Sequence, residues 1–144
     1  MKLLITALLI LTFLISSLQA EPNPKSMKEN KQNTISSLMI GLDSDNLGLK
    51  SSSAYMLGEL RITDAILPLM KMLRNSENED LRIAAALALY KIGSPMAIHA
   101  VKQSIRFDES KRVSTLCSNF YNEHLRNKIE DEEKNEVLVE TARK

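Results

Sequence analysis

Metal or nucleophilic chemistry in this chain would have to come from two histidines and one cysteine: His99, His124 and Cys117. Cys117 and His124 lie seven residues apart, so one helix face can carry both, and Glu123 adjoins. A metal centre would still need further ligands at defined distances. The plainer expectation is that Cys117 is a small buried hydrophobe and His124 a partly exposed polar side chain. The sequence has no glycine-rich phosphate loop, no Gly-x-Ser-x-Gly elbow and no His-Glu-x-x-His pair. Catalytic, cofactor-binding and metal residues are therefore expected to be absent, and the chain reads as a protein without enzymatic activity. Tyr55, Tyr90, Tyr121 and Phe120 are too scattered for a base-stacking platform, which argues against a nucleic-acid partner. Met56, Met70 and Met72 sit at helical spacing and read as core filler.

Charge offers more than nucleophiles do. Residues 65–74 and 96–106 contain no acid. If Ile66, Leu69, Met70 and Leu73 turn inward on one helix, and Ile98, Val101 and Ile105 on the next, the opposite faces carry a ridge. It consists of Leu67, Lys71 and Arg74, then His99, Gln103 and Arg106, with Lys102 at the flank. These seven residues are the candidate partner-binding site, and the expected partner is a protein or peptide of acidic character. Cations near helix C-termini also complement the helix dipole, so the same placement suits an ordinary solvated face.

The helices that must carry this ridge come from a repeat. Residues 49–74, "LKSSSAYMLGELRITDAILPLMKMLR", align without a gap on 81–106, "LRIAAALALYKIGSPMAIHAVKQSIR". Identities fall at Leu49/Leu81, Ala54/Ala86, Leu57/Leu89, Ala65/Ala97, Ile66/Ile98 and Arg74/Arg106. Each unit reads as two helices. In the second, Asp80 is expected to cap a first helix ending at Ile92, Gly93 to supply the left-handed stop, and Ser94-Pro95 to open the second helix. In the first unit Arg61 stands where the glycine should be, which predicts a less regular turn before Thr63 and Asp64. The alanines Ala84, Ala85, Ala86 and Ala88 suit a helix with close neighbours on two or three sides. Residues 81–92 are too short, and with Arg82 and Lys91 too charged, for a membrane span.

The array extends weakly at both ends. Ile35, Leu38, Met39 and Leu42 make a preceding helix stripe; Val113, Leu116, Cys117 and Phe120 make a following one, with a polar outer side suited to a cap. The pattern of a basic residue, an alanine-rich helix, Leu-Gly-x-Leu (Leu57 to Leu60), a short turn and a second alanine-containing helix resembles HEAT-like repeats of the phycobilisome-lyase type, over residues 34–125. The second unit departs from it at Tyr90, in place of the glycine. The resemblance implies an all-α fold, a short right-handed α-solenoid of about six helices whose second helices line a concave surface that binds protein. Of related activities, the iron chemistry of the deoxyhypusine hydroxylase family needs His-Glu pairs that this sequence lacks, and bilin-lyase chemistry belongs to much longer proteins. The alternatives to a protein-binding module are a small lyase-like or accessory enzyme subunit and a structural assembly factor of an envelope complex.

The N-terminus, "MKLLITALLILTFLISSLQA", has a positive start, an apolar run and a plausible cleavage site, the pattern of a secretory signal peptide. Domain organisation is thus expected as signal 1–20, polar leader 21–32, repeat domain 33–128 and charged tail 129–144. Removing Lys2 takes the formal charge from +1 to 0, so recognition must come from local patches. A single cysteine and no Asn-x-Ser/Thr acceptor suit a periplasmic or secreted bacterial envelope protein, monomeric and off the membrane after cleavage. The mature chain is expected to begin at Glu21 and to fractionate as soluble. Terminal sequencing that finds residue 1 intact on wholly membrane-embedded protein would replace the signal with an anchor.

Overall fold

In the computed structural model, residues 24–143 are described; the expected signal segment 1–20 lies outside them. Six α-helices follow one another: α1 (Pro24–Leu42), α2 (Leu47–Glu59), α3 (Ile66–Asn75), α4 (Glu79–Ile92), α5 (Pro95–Phe107) and α6 (Lys111–Ala142), with one 3₁₀ turn at Thr63–Ala65. Among the described residues there is no strand, and no helix is long and apolar enough to cross a membrane. The chain divides into two compact units, residues 1–34 and Ile35–Lys144. Residues 24–34 of the first unit are helical, and those from Glu29 to Thr34 are exposed, so the polar leader runs into α1 as a solvated helical segment. The second unit is a short α-solenoid.

The period of the solenoid is written most plainly in its caps. Asn46, Asn78 and Ser110 stand 32 residues apart, and each side chain accepts the amide N–H three residues on: Leu49 at 3.0 Å, Leu81 at 3.1 Å and Val113 at 3.3 Å. Each bond satisfies one of the orphan donors of a helix N-terminus and fixes where α2, α4 and α6 begin. The helix α4 therefore starts two residues before the expected position. Asp80 is not its cap; Asn78 is, and Asp80 lies in the first turn, where with Glu79 it complements the dipole. The other punctuation falls as expected. Gly93 ends α4 with φ 72°, and Ser94 caps α5 by accepting from Ala97 N at 3.2 Å. Thirty-two residues earlier Arg61 takes the same left-handed conformation, φ 51°, and the chain leaves it through the 3₁₀ turn.

The alanine-rich helix α4 packs against four others. It touches α2 and α6 in the layer of first helices, and α3 and α5 in the layer of second helices. From Leu81 to Ile92 no side chain is fully exposed, and Ala85, Ala86, Ala88 and Leu89 have no solvent contact at all. Gly58 on α2 meets α4 at Ala88 so closely that a Cβ placed there would sit 2.6 Å from the Ala88 Cα. One step along, the equivalents of Gly58 and Ala88 are Tyr90 and Phe120, whose rings stack 5.7 Å apart and nearly parallel. The contact that is smallest between α2 and α4 is thus aromatic between α4 and α6. The sequence stripe Val113, Leu116, Cys117 and Phe120 does form the inner face of α6, with Val113 and Cys117 fully buried.

Two expectations about apolar residues fail at the open end of the stack. Met56 is 41% exposed rather than core filler, because among the described residues no first-layer helix packs on the far side of α2 as α6 packs on α4; Met70 and Met72 do pack on the core. Likewise Leu49 is half exposed although its repeat mate Leu81 is buried.

Gly58→Ala should destabilise the fold by about 1–3 kcal/mol, since the added methyl meets backbone that cannot swing aside. Arg61→Gly should stabilise it by about 1 kcal/mol by relieving the left-handed strain. Urea midpoints of the two variants should therefore move in opposite directions, and equal midpoints would contradict the close α2–α4 approach.

Candidate interaction surface

All seven residues of the expected ridge are exposed: Leu67, Lys71, Arg74, His99, Lys102, Gln103 and Arg106. They do not form one continuous site. Arg74 and Gln103 line a cavity of about 790 Å³ at the C-terminal ends of α3 and α5, together with Met70, Leu73, Ser104 and Phe107. Leu67 and Lys71 line a second groove of about 710 Å³, between the end of α1 and α3. His99 is exposed near the start of α5. Lys102 turns toward α6, with its ammonium 5.3 Å from the centre of the Tyr121 ring, and Arg106 lies over its neighbour Phe107. Among the described residues none of Lys71, Arg74, Lys102 and Arg106 is in an ion pair.

The first cavity holds what the ridge pattern missed. Glu77 and Glu109 of the inter-repeat loops and Glu79 of the first turn of α4 also line it, so acids face the C-terminal ends of α3 and α5. These acids lie outside residues 65–74 and 96–106, and the 32-residue period places both loops, 76–78 and 108–110, at the same end of the stack. Beneath these charges lies a built ion pair. Arg82 donates from Nε to Asp108 Oδ2 at 3.0 Å and from Nη2 to Oδ1 at 3.1 Å, with both side chains largely buried. Its Nη1 donates to the carbonyl oxygens of Ser76, at 2.8 Å, and Glu77, at 3.2 Å. Asp108 Oδ1 also accepts from Ser110 N at 2.9 Å. One guanidinium therefore fixes the loop before its own helix and, through Asp108, the loop after the next; Arg112 adds an exposed bond to Asp80 at 2.7 Å. In the first unit Lys50 replaces Arg82 and Ser76 replaces Asp108, so this pair belongs to the second unit only.

The opposite edge, where first helices turn into second ones, carries a separate cluster. Lys91 Nζ lies 2.7 Å from Glu59 and over the Tyr55 ring. The hydrogen bond from Lys91 holds the Glu59 carboxyl below its ordinary range, and the same bond raises Lys91. The helix α6 runs on past this edge, where His124, Glu130, Asp131 and Lys134 border a cavity shared with Arg61, Lys91 and Gly93. The charged tail expected at 129–144 is thus helical to Ala142, and its Glu130 and Asp131 border the same cavity as Arg61 and Lys91.

Cys117 and His124 do not assemble a centre. The thiol is fully buried, and burial, with Asp108 adding to it, pushes its pKa up to about 12, so it stays protonated at physiological pH. Among the described residues no three His, Cys, Asp or Glu side chains cluster as metal ligands would.

The helix pairs, their 32-residue period and their two-layer stacking coincide with a family match: residues 35–117, more than half of the chain, fit the family model of HEAT repeats. The chain belongs to the HEAT-repeat family. No curated protein matches it. HEAT repeats are generally protein-interaction modules, and the exposed cations on α3 and α5 lie on helices of such repeats.

Asp108→Asn should cost about 3 kcal/mol by leaving the Arg82 charge without its counter-ion. The two inter-repeat loops should loosen together. Hydrogen exchange at Ser110 N and in the 76–78 loop reads this directly, and loosening of one loop alone would contradict the shared anchor.

Proposed function

We propose that this protein is an exported HEAT-repeat module without catalytic activity, which binds another protein across the surface formed by α3 and α5. The observation that carries the reading is that Lys71, Arg74, Lys102 and Arg106 stand exposed, outside any ion pair, on the two helices of one layer. Cations elsewhere are used internally: Arg82 holds Asp108, Lys91 holds Glu59 and Arg112 holds Asp80. A surface on which the positive charges are left over, in a chain of nearly balanced charge, suits a partner that supplies acids.

Glu77 and Glu109 of the loops and Glu79 of the first α4 turn weaken that complementarity at the end where Arg74 lies, without cancelling it along α3 and α5. Export rests on the pattern of residues 1–20, and the periplasm or exterior is the compartment it implies. The phycobilisome-lyase type of the repeat rests on Leu57-Gly58-Glu59-Leu60, whose glycine serves the α2–α4 approach. That supports shared architecture and no chemistry.

Replacing Lys71, Arg74 and Arg106 together by glutamate should weaken capture of the partner from envelope extract by about tenfold or more, and raising salt should mimic the loss. A folded triple variant that captures the same partner equally well would move the site to the first-helix layer or the loops.

A further inference from the structure

The two ends of the first-helix layer differ in chemistry. On α4 the stripe that meets α2 is marked by Ala88, which lies against Gly58; Leu81, Ala84 and Ile92 share that stripe at helical spacing. Their repeat mates on α2 are Leu49, Ser52, Met56 and Leu60. On α4, with a helix on that side, Leu81, Ala88 and Ile92 are 5%, 0% and 9% exposed. On α2, Leu49, Met56 and Leu60 are 51%, 41% and 41% exposed, and Ser52 is exposed with them. The same stripe is therefore closed on one helix and open on the other.

The far end of the layer suits water. Two periods after Ala54 and Gly58 stand Ser118 and Asn122 on α6, both polar. Repeat arrays close on polar outer faces, and α6 has one where α2 has leucines and a methionine. The repeat pattern does not continue before α2 either. One period before Asn46 the cap position falls on Leu14, which has no side-chain acceptor, and the stretch after it carries Pro22 and Pro24. The helix α1 provides the second helix of that unit, with Leu42 in the core and Ile35, Leu38 and Met39 packed on it. The pattern provides no first helix.

We propose that the open stripe of α2 is a second docking site, which takes an amphipathic α-helix of another protein in the place of that first helix. The site continues an interface the chain already uses twice, between α2 and α4 and between α4 and α6. It calls for a helix alongside α2, with apolar residues three and four apart against Leu49, Met56 and Leu60. Where α2 sets Gly58 on Ala88, the incoming helix needs a small residue to leave room for Met56. A second copy of this chain fits poorly. Its small-residue stripe, Ala54 and Gly58, is closed by α4, and its α6 would set Ser118 and Asn122 on leucines. The site lies on α2, apart from the cations of α3 and α5.

The probe is a helix-stapled peptide of residues 46–61, the segment this fold already seats on the matching stripe of α4. Fluorescence anisotropy of the labelled peptide is read on the full chain and on the chain beginning at Glu21. Saturable binding to both is expected, weakened about tenfold or more by Met56→Glu and, separately, by Ser52→Arg. Both variants change exposed residues, and circular dichroism verifies that they fold. The Lys71, Arg74 and Arg106 triple glutamate variant should bind the peptide as the wild type does, which separates this site from the α3–α5 surface. Absence of saturable binding overturns the inference, as does binding that neither variant weakens. Binding seen only on the chain beginning at Glu21 would give the stripe to the chain's own N-terminal segment and overturn it. Sedimentation velocity should find no self-association that Met56→Glu abolishes; finding one would give the stripe to a second copy and overturn it likewise.

Discussion

The close approach of α2 to α4 at Gly58 and Ala88 is the constraint on which the rest of the unit depends. With no side chain at Gly58 and only a methyl at Ala88, the two backbones come near enough for Ala54 and Leu57 on one helix, and Ala85 and Leu89 on the other, to lose all solvent contact. Packing at this density forgoes large side chains and gains many short dispersion contacts instead. It also lets α4 accept α3 and α5 on its remaining sides. A bulky helix at the centre could not serve four neighbours.

The next interface shows how the same frame tolerates a different solution. Tyr90 and Phe120 occupy the places of Gly58 and Ala88 and fill the space by stacking. Only part of α6 is then held by the stack: Val113 and Cys117 are buried, whereas Leu125 and everything beyond is exposed. Past its packed turns the helix continues as an exposed, acid-rich length to Ala142. The acidic, exposed length is where the chain meets its surroundings.

Charge is divided between two edges with different tasks. At the loop edge, Arg82 and Asp108 exclude water from a bidentate contact and tie two loops to one helix. At the turn edge, Glu59 and Lys91 remain hydrated, and their pairing holds less firmly for that reason. Between the edges lie the cations of α3 and α5, which no acid among the described residues pairs with. One set of charges is thus tied up in internal pairs, and another stands exposed on the second-helix layer.

The sequence by itself determined the helix pairs, their period and their stops. These depend on local rules: Asn and Ser at caps, Gly93 at a left-handed stop, Pro95 in a first turn, alanines and leucines at helical spacing. It also placed all seven ridge residues on the exposed side, because inward and outward faces follow from periodicity alone. Tertiary structure decided what periodicity cannot. The capping of α4 by Asn78 rather than Asp80 was decided where the Asn78 side chain reached the Leu81 amide, which starts the helix at Glu79 and leaves Asp80 inside its first turn. The division of the ridge between two grooves, and the arrival of Glu77, Glu79 and Glu109 at one of them, depended on loops brought together from successive repeats. Arg82 and Asp108 lie 26 residues apart, and neither residue announces the other in the sequence. Burial of Met70 beside exposure of Met56 depended on which helix had a neighbour. Contacts between distant segments set these outcomes, and residue type only made them possible.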